Sequence, residues 1–189
     1  YEQHVQCLKR GVKLIPGVEA YLADDATKRG LTDDELRDIK RQFDDKELAR
    51  LAAKEAQRLR KERDHITIWA INNEGLRNLY RLTSWSWNEG YYYKPRLDMQ
   101  ALRRFSAGLA VSTGCPGGVV TSPLRAGKTA VALDRARELA EIFGDRFYVE
   151  IMPHVMHDTP DLAVKMLRIA KMFGAKVLAT QDAHYPRRD

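Results

Sequence analysis

Cysteines are scarce in this sequence, and long apolar runs are missing. Only two of the 189 residues are cysteines, Cys7 and Cys115; this is too few for a disulfide framework and is typical of a reducing compartment such as the cytoplasm. A membrane-spanning helix needs roughly 20 consecutive apolar residues, and no stretch of the sequence approaches that length. No signal peptide is recognisable either. We therefore expect a cytoplasmic protein with no membrane partner.

The sequence also lacks an initiating methionine and a strong charge bias. It begins at Tyr1, within a helix-like stretch, so we expect it to be a piece of a longer protein. Lysine and arginine total 32 against 26 aspartates and glutamates, which gives a net charge of +6. This modest excess is compatible with a nucleic-acid partner or an anionic substrate and does not choose between them. The hydrophobic fraction of 44% is high enough for one folded domain.

Apolar periodicity predicts strands that alternate with helices. We expect helices over residues 1–10, 74–86, 130–143 and 160–173, the last two ended by Gly144 and Gly174. Strand-like runs occupy residues 12–15, 19–22, 65–70, 109–112, 147–151 and 176–179. Alternation of this kind indicates parallel strands joined by helical crossovers, and therefore an α/β fold.

One long segment, residues 24–64, departs from this pattern because it is very polar. Its charges are of both signs, and Leu36, Ile39 and Phe43 follow a helical stripe. We interpret the segment as a charged helical insertion of one or two solvated helices, in preference to a binding tail.

The last part of the chain contains the first candidate metal ligands. Asp182 and His184 follow the final predicted strand, where a carboxylate oxygen and an imidazole nitrogen can bind one cation. A lone Asp-x-His in a loop is more often a capping aspartate beside a surface histidine. The pair gains weight from three further candidates near other strand ends.

Those further candidates are Glu19, His65 and Cys115. Loops after parallel strands share one mouth, so residues distant in sequence can converge there. His65 is the exception because it begins its strand, which requires either a strand of opposite direction or entry from a loop. Taken singly, the three have ordinary explanations: a salt bridge, a satisfied core histidine and a small buried hydrophobe.

Several strings resemble, in order and spacing, the PHP domain of bacterial DNA polymerase III alpha subunits. They lie at residues 13–21, 65–70, 73–79, 89–96, 112–115, 142–148 and 178–185. The most specific are Gly-Tyr-Tyr-Tyr-Lys-Pro-Arg at 90–96 and Asp-Ala-His-Tyr at 182–185. The resemblance covers nearly the whole chain, and only the charged segment is longer than usual.

The resemblance implies a distorted (β/α)7-type barrel with a metal cluster at its mouth. Residues 1–189 would be a partial PHP domain that lacks the first strands, because the family's opening His-x-His and Thr-Asp-His-Gly strings are expected upstream. By the same resemblance, Glu19, His65, Cys115, Asp182 and His184 occupy metal-ligand positions, with Asp182 and His184 as the catalytic pair. The implied metal is zinc, with manganese as the alternative, while polymerase activity elsewhere in the parent would use magnesium.

The chemistry implied is metal-assisted 3′→5′ removal of nucleotides, that is, proofreading within a chain whose main work is DNA-directed DNA synthesis. Implied partners are primer-template DNA, the sliding clamp, the clamp loader and a separate exonuclease. A second interpretation makes the domain a non-catalytic module that docks such an exonuclease; ligand-competent residues at all five positions favour the enzyme. A third, a free-standing phosphoesterase, is disfavoured by the 90–96 string.

Other residues suggest substrate contacts, but we interpret them more simply. Arg96, Arg187 and Arg188 could contact phosphates, although solvated surface arginines are the preferred explanation. The tyrosines at 91–93 could stack on bases, yet packing of their loop against the barrel is favoured. His154 and His157 follow a predicted strand and are not assigned as ligands.

Overall fold

A six-stranded sheet with helices on one face organises the fold. The computed structural model describes residues 2–152 and 160–182. The predicted ligand His184 lies outside those ranges, as do His154, His157, Arg187 and Arg188.

The strands follow the order β3-β1-β2-β4-β5-β6 across the sheet. Their bounds are β1 Gly17–Leu22, β2 Asp64–Ala70, β3 Arg96–Leu97, β4 Leu109–Ser112, β5 Phe147–Ile151 and β6 Lys176–Ala179. The outer strands β3 and β6 do not pair with each other among the described residues, so the sheet is open there. This architecture agrees with the predicted α/β fold and with a barrel that lacks part of its wall.

Eight α-helices accompany these strands in the described part of the chain. They are α1 Glu2–Lys9, α2 Asp33–Arg41, α3 Lys46–Leu59, α4 Asn73–Asn88, α5 Met99–Phe105, α6 Thr121–Arg125, α7 Thr129–Phe143 and α8 Pro160–Phe173. The predicted long helices are confirmed to within two residues at each end. The short α5 and α6 were not predicted, and the strand expected at 12–15 is wrong because those residues form no strand.

Strand β2 runs opposite to the rest of the sheet. It pairs antiparallel with β1 and β4, whereas the β1–β3, β4–β5 and β5–β6 pairs are parallel. The expectation of uniformly parallel strands is therefore wrong for β2. The reversal brings the beginning of β2 to the edge at which β1 and β4 end, and it explains how His65 can reach that edge.

The hydrophobic core lies between the helices and one face of the sheet. Ile66 and Ile68 of β2 are fully buried there, in one cluster with core residues of α4, α7 and α8. Thr67 and Trp69 alternate with them and point to the other face, where both are half-buried. An open groove of about 650 Å³ follows that second face and is lined by side chains of β1, β2, β5 and β6.

The charged segment contains the helices α2 and α3, in agreement with the expectation of solvated helices. Thr32 and Glu35 form a capping box at the start of α2, and Asp45 caps α3. Exposed ion pairs such as Arg50–Glu47 cover their surface. Ala49 is the one residue of these two helices that is buried, so their packing against the rest of the molecule is slight.

Arg96 is a buried structural residue, and its interpretation as a solvated surface arginine is wrong. The side chain is 1% exposed and donates to the carbonyl oxygens of Gly90, Arg60, Ala26 and Lys28 at 2.7–3.0 Å. Burial lowers the pKa of its guanidinium. Its donors are directed at backbone carbonyls, so this side chain joins three loops and is not placed to meet a phosphate.

The tyrosine loop packs against the protein through Tyr92. The Tyr92 hydroxyl bonds to the Gln57 side chain of α3, and the Arg96 guanidinium lies 5.2 Å from the Tyr92 ring centre. Tyr91 and Tyr93 are more exposed, although Tyr91 stacks on Trp87 with ring centres 5.5 Å apart. Packing of the loop is thus confirmed for Tyr92.

None of the described helices has the length and apolarity that crossing a membrane requires.

Candidate metal centre

Three of the predicted ligands, Glu19, His65 and Cys115, converge at one edge of the sheet. The Nδ1 atom of His65 lies 2.5 Å from Oε1 of Glu19 and 3.3 Å from Sγ of Cys115. One potential ligand atom from each residue falls within 4.8 Å of the others. Residues separated by 46 and 50 positions in sequence therefore form one cluster of oxygen, nitrogen and sulfur donors.

The register of β1 and β2 explains how Glu19 and His65 meet. Glu19 is opposite Thr67, and Tyr21 is opposite His65. Glu19 and His65 thus lie on the same face as diagonal neighbours, a separation that long side chains can span. Tyr21 completes the group, because its ring meets the imidazole edge-on with centres 5.2 Å apart.

The loop after β4 brings Cys115 to the same place. The His65 N–H donates to the Gly117 carbonyl at 2.9 Å, and the Val119 N–H donates to the His65 carbonyl at 2.8 Å. Gly114 has a φ of 76°, a conformation that glycine adopts without strain. A Cβ at Gly118 would overlap the Thr113 carbonyl oxygen. This tight loop, which is hydrogen-bonded to both the N–H and the carbonyl of His65, therefore requires glycine at positions 114 and 118.

The local environment keeps the Cys115 thiol protonated. Burial raises its pKa above the ordinary value of 9.0, and the negative charges of Asp182 and Glu19 raise it further. Backbone N–H groups at Gly117 and Cys115 act in the opposite direction but do not outweigh burial. A nearby cation would offset both raising effects, because a thiolate is the form that binds metals.

Asp182, the fourth predicted ligand, lines a cavity next to this cluster. The cavity, of about 370 Å³, is bounded by Glu19, Thr67, Cys115, Glu150, Met152, Thr180, Gln181 and Asp182. Asp182 has a φ of 52°, in the left-handed region that is uncommon for residues other than glycine. It is outside the three-residue cluster but close enough for its charge to raise the pKa of Cys115.

The donor set suits a divalent metal ion. Carboxylate, imidazole and thiolate groups together are typical of zinc sites, and the sulfur disfavours magnesium. Three donors of these types within 4.8 Å of one another fit the expected metal without rearrangement of the sheet.

Sequence reasoning missed the carboxylate of Glu150, a residue that lines the same cavity. Glu150 is 5% exposed and accepts hydrogen bonds from Ser112 and Thr180. The available indication was a single charged residue in an otherwise apolar strand, Phe-Tyr-Val-Glu-Ile, since charged residues are seldom buried unless they are paired.

Fold and site together define an α/β protein with a candidate metal centre at the strand ends. The chain belongs to the PHP domain family, whose model matches residues 1–154.

Relatives of the chain share one name, DNA polymerase III subunit alpha. The protein of Saccharopolyspora erythraea is 38% identical over 126 residues, covering 66% of this chain and 11% of the relative. The protein of Helicobacter pylori strain J99 is 32% identical over 187 residues, covering 94% of this chain and 13% of the relative. That of Borreliella burgdorferi is 29% identical over 181 residues, covering 96% and 14%. The chain therefore spans only a small part of the length of these relatives.

Proposed function

We propose that this PHP domain is a metal-dependent 3′→5′ exonuclease that removes mispaired nucleotides from a DNA primer. The convergence of Glu19, His65 and Cys115 at the sheet edge carries the proposal. Asp182, which lines the adjoining cavity, and His184 would complete the ligand set as the catalytic pair.

The chain's own residues would bind the metal and orient one of its ligands. Glu19, His65 and Cys115 would hold the metal, zinc or alternatively manganese, and Asp182 and His184, which follow β6 in the sequence, would complete the ligand set. When bound, divalent metals supply Lewis-acid stabilisation of the charge that develops on a phosphodiester. The Glu19 carboxylate, 2.5 Å from His65, would fix the orientation of the imidazole ring.

We further propose that the whole polypeptide is a DNA polymerase subunit. This rests on relatives named DNA polymerase III subunit alpha that align with up to 96% of the chain. Template-directed synthesis would then reside in other parts of the polypeptide and use magnesium. Primer-template DNA, the sliding clamp and the clamp loader would be its partners in the cytoplasm.

The test is degradation of a mismatched primer by the full natural polypeptide, with zinc or manganese. Asp182→Asn and Cys115→Ser should each slow 3′→5′ degradation by at least about 10-fold, the scale typical of disturbed metal sites. Primer extension should persist in both variants. Asp134→Asn, which changes an exposed aspartate paired with Arg137 on α7, is the matched control and should degrade primer normally.

Two outcomes would contradict the proposal. In the first, either variant degrades the mismatched primer as fast as the native polypeptide. In the second, the native polypeptide does not degrade the primer at all. Either result would favour the non-catalytic interpretation, in which the domain docks a separate exonuclease.

A further inference from the structure

Glu150 of β5 links the ends of two neighbouring strands through hydrogen bonds. Its Oε2 accepts from the Ser112 hydroxyl at 2.5 Å, and its Oε1 accepts from the Thr180 hydroxyl at 2.6 Å. Its backbone N–H donates to the Thr113 hydroxyl oxygen at 2.9 Å. Ser112 and Thr113 are fully buried, so these contacts are shielded from water.

The two linked strands both lead to predicted metal ligands. Ser112 ends β4, three residues before Cys115, and Thr180 directly follows β6, two residues before Asp182. The Thr180 N–H also donates to the Ile151 carbonyl at 3.1 Å, which extends the pairing of β5 with β6. The Cys115 loop and the Asp182 segment are therefore both tied to one side chain.

A buried carboxylate is a costly way to join strands. Burial of a charged group is unfavourable unless hydrogen bonds compensate it, and an apolar residue would serve ordinary core packing at this position. Asp182 also has an uncommon left-handed backbone conformation, which persists only where neighbouring contacts hold it. These two features together favour a role in fixing the geometry of the site.

We propose that Glu150 is a positioning residue that fixes the distance between the Cys115 and Asp182 ligands. Its two oxygens accept hydrogen bonds from Ser112 and Thr180, and it is not a member of the Glu19–His65–Cys115 cluster, so we assign it a role through these two hydroxyl groups. The inference rests on the proposed metal centre and adds to it a residue outside the predicted ligand set.

The test is a titration of the full, metal-free polypeptide with Co²⁺. Binding is monitored by the absorption band of the cobalt–thiolate bond at Cys115. Thr180→Val keeps the shape of the side chain but removes the hydroxyl, and it should weaken Co²⁺ binding by about 10-fold or more, as loss of an outer-shell contact typically does. Glu150→Gln should weaken binding in the same way. Thr180→Ser, which restores the hydroxyl, should bind Co²⁺ nearly as tightly as the native protein.

Thr121→Val is the matched control, because the Thr121 hydroxyl is buried and has no hydrogen-bond partner. It makes the same chemical change outside the Glu150 network and should leave Co²⁺ affinity unchanged. Circular dichroism of each variant would confirm folding. If Thr180→Val does not fold, Ser112→Ala removes the other hydrogen bond to Glu150 and should give the same loss.

The outcomes separate this inference from the proposed function. Native-like Co²⁺ affinity in a folded Thr180→Val or Ser112→Ala variant would overturn the positioning role while leaving the metal centre intact. Weak binding by Thr180→Ser would also overturn it, because packing and not the hydroxyl would then be responsible. Absence of the cobalt–thiolate absorption in the native protein would refute the metal centre itself.

Discussion

At the scale of single residues, Cys115 is the most informative group in the candidate site. Its pKa is raised by burial first, and then by the charges of Asp182 and Glu19. The same residues that disfavour the thiolate in the metal-free protein would accompany it as ligands around a cation. Metal binding should therefore be coupled to the release of a proton from Cys115.

This coupling predicts slow alkylation of Cys115 in the metal-free protein. In a Cys7→Ser background, the rate should rise with pH along a curve whose midpoint lies above 9.0, the ordinary thiol value. Asp182→Asn removes one of the charges that raise the pKa, so it should move the curve to lower pH without abolishing the effect of burial. Mass spectrometry of iodoacetamide-treated protein measures the rate.

The sign of the associated stability change follows from proton binding. Above pH 9.0 the unfolded thiol loses its proton before the folded one does, so the folded state binds more protons. Stability of the metal-free protein should therefore fall as pH rises through this range. An alkylation midpoint at or below 9.0 would contradict the raised pKa of Cys115.

Sequence reasoning identified some residues of the candidate site and misjudged or missed others. Glu19, His65 and Cys115 were predicted as ligands from their places near strand ends and from a family resemblance, and the structure brings the three together. Arg96 was misjudged because burial of an arginine depends on backbone carbonyls supplied by distant loops. Glu150 was missed because its hydrogen-bond partners lie 38 and 30 residues away.

At the scale of elements, strand direction decides whether the site can form. His65 reaches the ligand edge only because β2 is antiparallel to both neighbours. Hydrophobic alternation located β2 correctly, but alternation is the same in either direction and could not establish its polarity. Short helices such as α6 escaped prediction for a related reason, since five residues are too few to show a period.

The helices α2 and α3 should be locally less stable than α4 and α7. They contribute one buried residue, Ala49, whereas α4 contributes five and α7 four. Because local stability follows buried apolar contact, amides of α2 and α3 should exchange with deuterium faster than those of α4 and α7. Hydrogen-exchange mass spectrometry measures this directly. Equal protection of the two pairs would show that the charged segment is integral to the core.

At the scale of the whole molecule, the described residues form an open sheet with a candidate metal centre at one edge. Helices cover one face of β2, and the half-buried Thr67 and Trp69 line a groove on the other. Fold class was predictable because alternating strands and helices dominate the sequence. The family resemblance implied a barrel that lacks its first strands, in agreement with the open sheet. The order and pairing of the strands depend on contacts between distant residues, which periodicity does not encode.

The central claim is that Cys115 binds a metal together with Glu19 and His65, and zinc X-ray absorption tests it most directly. The full polypeptide loaded with zinc should show a sulfur neighbour at about 2.3 Å, the usual zinc–sulfur distance. That neighbour should disappear in Cys115→Ser and persist in Cys7→Ser, which changes the other cysteine of the chain. A native spectrum with only nitrogen and oxygen neighbours, or a sulfur neighbour unaffected by Cys115→Ser, would contradict the account.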